Sequence, residues 1–280
     1  MDSLVSTEWL AGQLGAPDLR IVDASFFLPD EGRDARAEYE EAHIPGSVFL
    51  DLAEIADADH PVPAMLPPDY KFASRMQALG IGDGDRIVVY DNTPHHSAAR
   101  AWWMLGTFGA TKAALLDGGL PKWKAEGRPL ASGRNEAKRS HFTARLDPKK
   151  LADQAYVADI IHSDGHELVD ARNASRFAGE MPEPRPGVTP GHIPGSKNLP
   201  QTMLFNPDNS WKRGAALRGA FEEAGIDLAK PMVTTCGGGV TAAVLLFGAH
   251  LLGKEDVKLY DGSWAEWGSD PSTPKATGPA

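Results

Sequence analysis

His43-Ile44-Pro45-Gly46-Ser47 and His192-Ile193-Pro194-Gly195-Ser196 are the same five residues, 149 positions apart. Each follows a short apolar run closed by aspartate and alanine, Ile21-Val22-Asp23-Ala24 in the first case and, 147 positions on, Leu168-Val169-Asp170-Ala171 in the second. Further out, Arg86-Ile87-Val88-Val89-Tyr90-Asp91 answers Pro231-Met232-Val233-Thr234-Thr235-Cys236. Leu115-Leu116-Asp117-Gly118-Gly119 with Trp123 likewise answers Leu259-Tyr260-Asp261-Gly262-Ser263 with Trp267. Four matches in one order at nearly one period mark a duplicated chain. The halves meet in the polar, turn-rich stretch from Gly127 to His141, as a joint between domains should be. We therefore expect domains over residues 1–126 and 148–280 with a linker over 127–147.

Within each half, short β-branched runs alternate with longer stretches of helical period, the pattern of a parallel sheet with crossover helices. Strands are predicted over 20–23, 86–90, 113–116, 167–170, 232–235 and 257–260. Helices are predicted over 70–79, 97–108, 214–224 and 240–252, the last with Val244, Leu245, Leu251 and Leu252 on one face. The fold class is α/β. Ligands of open α/β sheets gather beyond the carboxyl ends of the strands, where Asp91 and Cys236 stand.

Composition narrows the function classes. Hydrophobic residues at 42% and charged residues at 24% are those of a folded globular chain. The longest apolar stretch, Ala242 to Gly253, is about a dozen residues against the roughly 20 that span a bilayer, so no membrane partner is expected. Met1-Asp2-Ser3-Leu4 does not open a secretory signal, and a cytosolic location is the default expectation. Twenty-eight basic against 38 acidic side chains give a net charge of −10, which repels nucleic acid. The single cysteine, Cys236, excludes an internal disulfide and a thiolate metal cluster within one chain. Gly80-Ile81-Gly82-Asp83-Gly84 precedes a strand instead of following one, so it is not a dinucleotide loop. No phosphate loop or His-Glu-x-x-His zinc motif occurs either, so neither cofactor nor metal is expected.

A lone cysteine in an apolar setting is ordinarily an inert small hydrophobe. Cys236 differs because it ends a predicted strand and is followed by Gly237-Gly238-Gly239-Val240-Thr241-Ala242, which opens a helix. Consecutive glycines let successive amides point inward, and the helix N-terminus adds partial positive charge. Such a cradle favours the thiolate and makes the sulfur nucleophilic near neutral pH. The other half carries Asp91-Asn92-Thr93-Pro94-His95-His96 at the matching place, so one nucleophile per chain is expected. His43 and His192 recur in both halves, including the one without a cysteine, and read as parts of structural turns.

The tandem halves, both His-Ile-Pro-Gly elements, the strand-Cys-Gly-loop-helix and Asp261-Gly262-Ser263-Trp264 with Trp267 together resemble the two-domain rhodaneses over nearly the whole chain. Cys236-Gly237-Gly238-Gly239-Val240-Thr241-Ala242 is similar to the loop of the mercaptopyruvate sulfurtransferase branch, whereas the thiosulfate branch usually places Arg and Lys after the cysteine. The segment Ser175-Arg176-Phe177-Ala178-Gly179-Glu180-Met181-Pro182-Glu183-Pro184-Arg185 resembles the same branch and puts its two substrate-binding arginines on Arg176 and Arg185. The resemblance implies tandem rhodanese-like domains with the catalytic one second. It also implies sulfur transfer from 3-mercaptopyruvate through a Cys236 persulfide to a thiol, thioredoxin or cyanide, with release of pyruvate. Thiosulfate as donor, and a non-catalytic persulfide carrier or binding module, stand as alternatives. A Cys-x5-Arg phosphatase is disfavoured, because the sixth residue after Cys236 is Ala242.

One part of the family pattern is missing. The Ser-His-Asp set described for the mercaptopyruvate branch falls on Gly238, Ala64 and about Ala53 here. His60 and Glu54 lie nearby in sequence and read as surface residues, outside the catalytic set.

Overall fold

The computed structural model of the chain describes residues 1–28 and 31–279. It resolves into two compact units, one of Met1–Ala56, Leu66–Asp147 and Asn206–Trp211, the other of Asp57–Met65, Pro148–Phe205 and Lys212 onward. The first unit contains a five-stranded parallel sheet made from β1 (Leu4–Val5), β2 (Leu19–Asp23), β3 (Ser47–Phe49), β4 (Arg86–Tyr90) and β5 (Ala113–Leu116), in the order β1-β5-β4-β2-β3. The second repeats the design with β6 (Leu151–Ala152), β7 (Glu167–Asp170), β8 (Lys197–Asn198), β9 (Met232–Thr235) and β10 (Val257–Tyr260), in the order β6-β10-β9-β7-β8. The topology is the same strand for strand, as the sequence repeat requires.

The central strands explain why the sequence is legible. Every residue of β7 and β9 is buried, the condition of a parallel strand covered by helices on both faces, and such strands are written as continuous runs without alternation. In register, Asp170 of β7 lies beside Thr235 of β9, so the ends of two neighbouring strands deliver Arg172 and Cys236 to one edge of the sheet.

The repeated pentapeptide is a turn. Ser47 N–H donates to Ile44 O at 3.0 Å and Ser196 N–H to Ile193 O at 3.1 Å. Gly46 and Gly195 have φ near +79° and +77°, so Pro-Gly fills the central positions of a type II turn that needs a left-handed residue. Each histidine is buried, with Nδ1 against a backbone carbonyl, Tyr39 O at 2.7 Å and Phe177 O at 2.8 Å. Each also stacks on that residue's ring, at 4.2 and 3.8 Å. Trp123 and Trp267 are fully buried, and each donates its indole N–H to a proline carbonyl downstream, Pro129 and Pro274.

One reading changes. The helix Ala242–Leu251 is not amphipathic: residues 242–249 are all buried, and Leu251 and Leu252, read as part of an inner face, are only half-buried. A helix apolar all round is one enclosed by its own unit. Residues 127–147 pack along the first unit. Ala131 bridges His43, Asp83 N–H donates to His141 O at 2.8 Å, and Phe142 is buried. No described helix is long and apolar enough to cross a membrane.

Candidate active site

Cys236 follows β9 directly and is 2% exposed. Its N–H donates to Ser263 Oγ at 3.2 Å, its carbonyl accepts from Trp264 N–H at 3.0 Å, and the Gly237 carbonyl accepts from Ala265 N–H at 2.9 Å. The short helix Ser263–Trp267 thus clamps the backbone on which the sulfur rides. Ser263, absent from the sequence-based set, is fully buried, has φ of +51°, and passes its hydroxyl proton to Tyr260 O at 2.8 Å.

The expected cradle spans the amides of Gly237 to Thr241. Among the described residues, Gly239 N–H donates to Cys236 Sγ at 3.1 Å, and Gly239 has φ of +81°, a conformation that favours glycine. Val240 and Thr241 form the turn that leads into the helix Ala242–Leu251, and their carbonyls accept from Ala243 N–H at 3.3 Å and Val244 N–H at 3.1 Å. Gly237 and Gly238 face the two arginines. A Cβ on Gly237 would lie 3.1 Å from Arg176 Nη2, and one on Gly238 would lie 2.9 Å from Arg185 Nη1. Both sequence-predicted arginines therefore converge on the cysteine loop.

Each guanidinium is held differently. Arg176 donates through Nη2 to Glu183 Oε2 at 2.5 Å, while its buried Nε has no hydrogen-bond partner among the described residues. Arg185 reaches the Gly237 carbonyl at 3.4 Å. Burial pulls Arg185 below its ordinary value, with the Cys236 sulfur opposing the shift, yet a guanidinium so displaced is still a cation near neutrality. Behind them sits Arg172, which sequence reading passed over. It grips Asp170 through Nε and Nη2 at 3.0 and 2.7 Å, Glu183 through Nη1 at 2.9 Å and the Gly191 carbonyl at 2.8 Å. Burial works against the Arg172 charge, and the carboxylates of Asp170 and Glu183 outweigh it and hold the guanidinium above its usual value. The missed signal was an Asp-x-Arg pattern at a strand end, with a glutamate two residues before Arg185.

Glu54 is exposed and pairs with Arg36 and Arg75. His60 bonds locally to Val62 through Nδ1. In the first unit, the place equivalent to Cys236 holds Asp91, which is buried and accepts Ala98 N–H at 2.6 Å.

A family model described as the rhodanese-like domain matches residues 6–126 and 153–270. The chain belongs to the rhodanese family. Within it, the chain is 43% identical over 271 residues to a 3-mercaptopyruvate sulfurtransferase of Homo sapiens, covering 95% of this chain and 91% of the relative. It is 40% identical over 273 residues to a thiosulfate sulfurtransferase of Cricetulus griseus, covering 95% and 91%. The crystal structure of SseA from Escherichia coli, described as showing the rhodanese fold and catalytic mechanism of 3-mercaptopyruvate sulfotransferases, superposes with a TM-score of 0.87 at 38% identity, covering 94% of this chain and 99% of that one. Relatives named 3-mercaptopyruvate sulfurtransferase at 40 to 43% identity over nearly the whole chain, with the SseA structure, support that activity over transfer from thiosulfate.

Proposed function

We propose that the protein is a sulfurtransferase that takes sulfur from 3-mercaptopyruvate through a persulfide on Cys236. The observation that carries this reading is the convergence of Arg176 and Arg185 on an otherwise uncharged glycine loop beside the single cysteine. The Cys236 thiolate attacks the donor's thiol sulfur, so that an S–S bond forms and the C–S bond breaks. The released electron pair leaves with the three-carbon fragment as the enolate of pyruvate. Protonation of that carbon, balanced by the proton of the donor thiol, gives pyruvate. Arg185 and the free Nε of Arg176 bind the donor's carboxylate and ketone oxygens, where charge builds as the enolate departs.

The Gly239 amide, already directed at Sγ, stabilises the sulfur anion before and after transfer. The outer sulfur then passes to a thiol, to a protein thiol such as thioredoxin, or to cyanide, in two half-reactions. The same reading places the catalytic rhodanese domain at 148–280, a domain without a nucleophile at 1–126 and a joint at 127–147, in a cytosolic setting.

Thiosulfate as donor is the second reading, favoured by the 40% identity to a relative so named. Pyruvate release at varied donor concentration tests the first. Losing the charge-assisted grip of one arginine costs roughly 10- to 100-fold in donor binding, so Arg185→Gln raises KM for 3-mercaptopyruvate by that order. An unchanged KM removes Arg185 from the site.

A further inference from the structure

We infer that Glu183 sets which sulfur donors the site accepts, by cancelling the charge of one of the two arginines beside the cysteine loop. The inference rests on the sulfurtransferase reading above and goes beyond it, since Glu183 touches no donor atom in that mechanism.

Four charged side chains form a line into the site. Asp170 pairs with Arg172 at 2.7 Å, Arg172 with Glu183 at 2.9 Å, and Glu183 with Arg176 at 2.5 Å. The first three are almost wholly enclosed, with side chains 1%, 1% and 4% exposed. Their signs alternate and sum to zero. Arg185 stands outside the line, and no carboxylate among the described residues forms an ion pair with it. The Cys236 thiolate of the mechanism offsets Arg185, so the donor meets one guanidinium with no carboxylate partner, together with the directional donors of a second guanidinium whose charge Glu183 has neutralised. With so little positive charge in excess, each further negative charge on a donor is poorly compensated in a partly enclosed site, and a donor with one negative charge is admitted more readily than a donor with two. 3-Mercaptopyruvate with its thiol protonated is a donor of the first kind, and thiosulfate carries two charges.

Glu183 does two separable things. It fixes Arg176 by a short charge-assisted bond, and it subtracts one unit of positive charge. Glu183→Gln keeps the side chain's shape and removes the charge, leaving Arg176 and Arg185 both without a carboxylate partner and the site one unit more positive. The dianion gains from that change and the monoanion gains less. Glu183→Asp keeps the charge and shortens the reach. In both variants Arg172 retains its bidentate hold on Asp170 and its bond to Gly191. With thiosulfate the step is balanced without a proton: the Cys236 thiolate attacks the outer sulfur, the S–S bond of the donor breaks, and sulfite departs with its electron pair.

The test is kcat/KM for 3-mercaptopyruvate and for thiosulfate, both donors measured on one preparation of each variant, so that the folded fraction cancels from the ratio. In Glu183→Gln the ratio moves toward thiosulfate by roughly tenfold or more, as one added charge near a dianion demands, while Glu183→Asp stays near the wild-type ratio. Equal losses with both donors in Glu183→Gln would reduce Glu183 to a structural support and overturn the inference. A ratio that moves the other way would overturn it as well. Failure of the wild-type protein to react with 3-mercaptopyruvate would instead sink the donor assignment, and Glu183 would then be judged on whether thiosulfate turnover rises in Glu183→Gln above Glu183→Asp.

Discussion

Ser263 is one of four non-glycine residues among those described that have left-handed backbone, with φ of +51°. The first unit places Gly119 at the equivalent position, with φ of +57°. A side chain in that conformation costs on the order of 1 kcal/mol, which only a specific bond offsets, and here the Oγ is the acceptor for Cys236 N–H. Ser263→Ala keeps the strain and strands a buried amide, a loss of about 1–3 kcal/mol. Ser263→Gly loses the same bond and relieves the strain. Thermal unfolding is expected to rank wild type above Ser263→Gly and Ser263→Ala last; Ser263→Ala matching wild type would mean that the Oγ bond contributes nothing. Cys236, Arg176 and Arg185 were legible because their chemistry is written in contiguous strings. Ser263, Arg172 and Glu183 were not, because a backbone angle and a partner eleven residues away leave no local trace.

At the scale of elements, β4 and β9 end alike and carry different groups. Cys236 accepts the Gly239 amide, while Asp91 accepts the Ala98 amide at the start of the helix Ala98–Thr107. Burial pushes the Asp91 carboxyl up to about 7, with the Ala98 bond opposing it and the nearby Asp23 adding to it. A carboxyl raised in the folded state is protonated there and ionised in the unfolded chain between about pH 4 and 7. The folded state then binds more protons, so stability falls as pH rises through that window and levels off above it, by a few kcal/mol in all.

Asp91→Asn keeps an oxygen for Ala98 N–H and cannot ionise. Denaturant titrations should show it more stable than wild type at pH 8 and nearly equal at pH 5; equal stability at both would mean that Asp91 ionises freely when folded. The six strands read from sequence sit within a residue of their observed bounds, because buried parallel strands are unbroken apolar runs. β1, β3, β6 and β8 were missed because two or three residues carry no period. The helix Ala242–Leu251 was located correctly and given a wrong inner face, since a helix enclosed on all sides has no stripe to find.

For the whole molecule, duplication was the most readable feature, because it survives as order and spacing even where single residues have diverged. Two equivalent sheets were kept and one nucleophile. In a chain of net charge −10, Arg172 and Arg176 are paired with Asp170 and Glu183, and Arg185 beside the one cysteine is the guanidinium left to meet a small anion. The account turns on the claim that Cys236 carries the transferred sulfur, and the intact mass of the reduced protein after incubation with 3-mercaptopyruvate tests it directly. The predicted result is a single gain of about 32 Da, one sulfur atom on one thiolate, absent in Cys236→Ala and reversed by a thiol acceptor. No gain from fully reduced protein, or a gain that persists in Cys236→Ala, would contradict it.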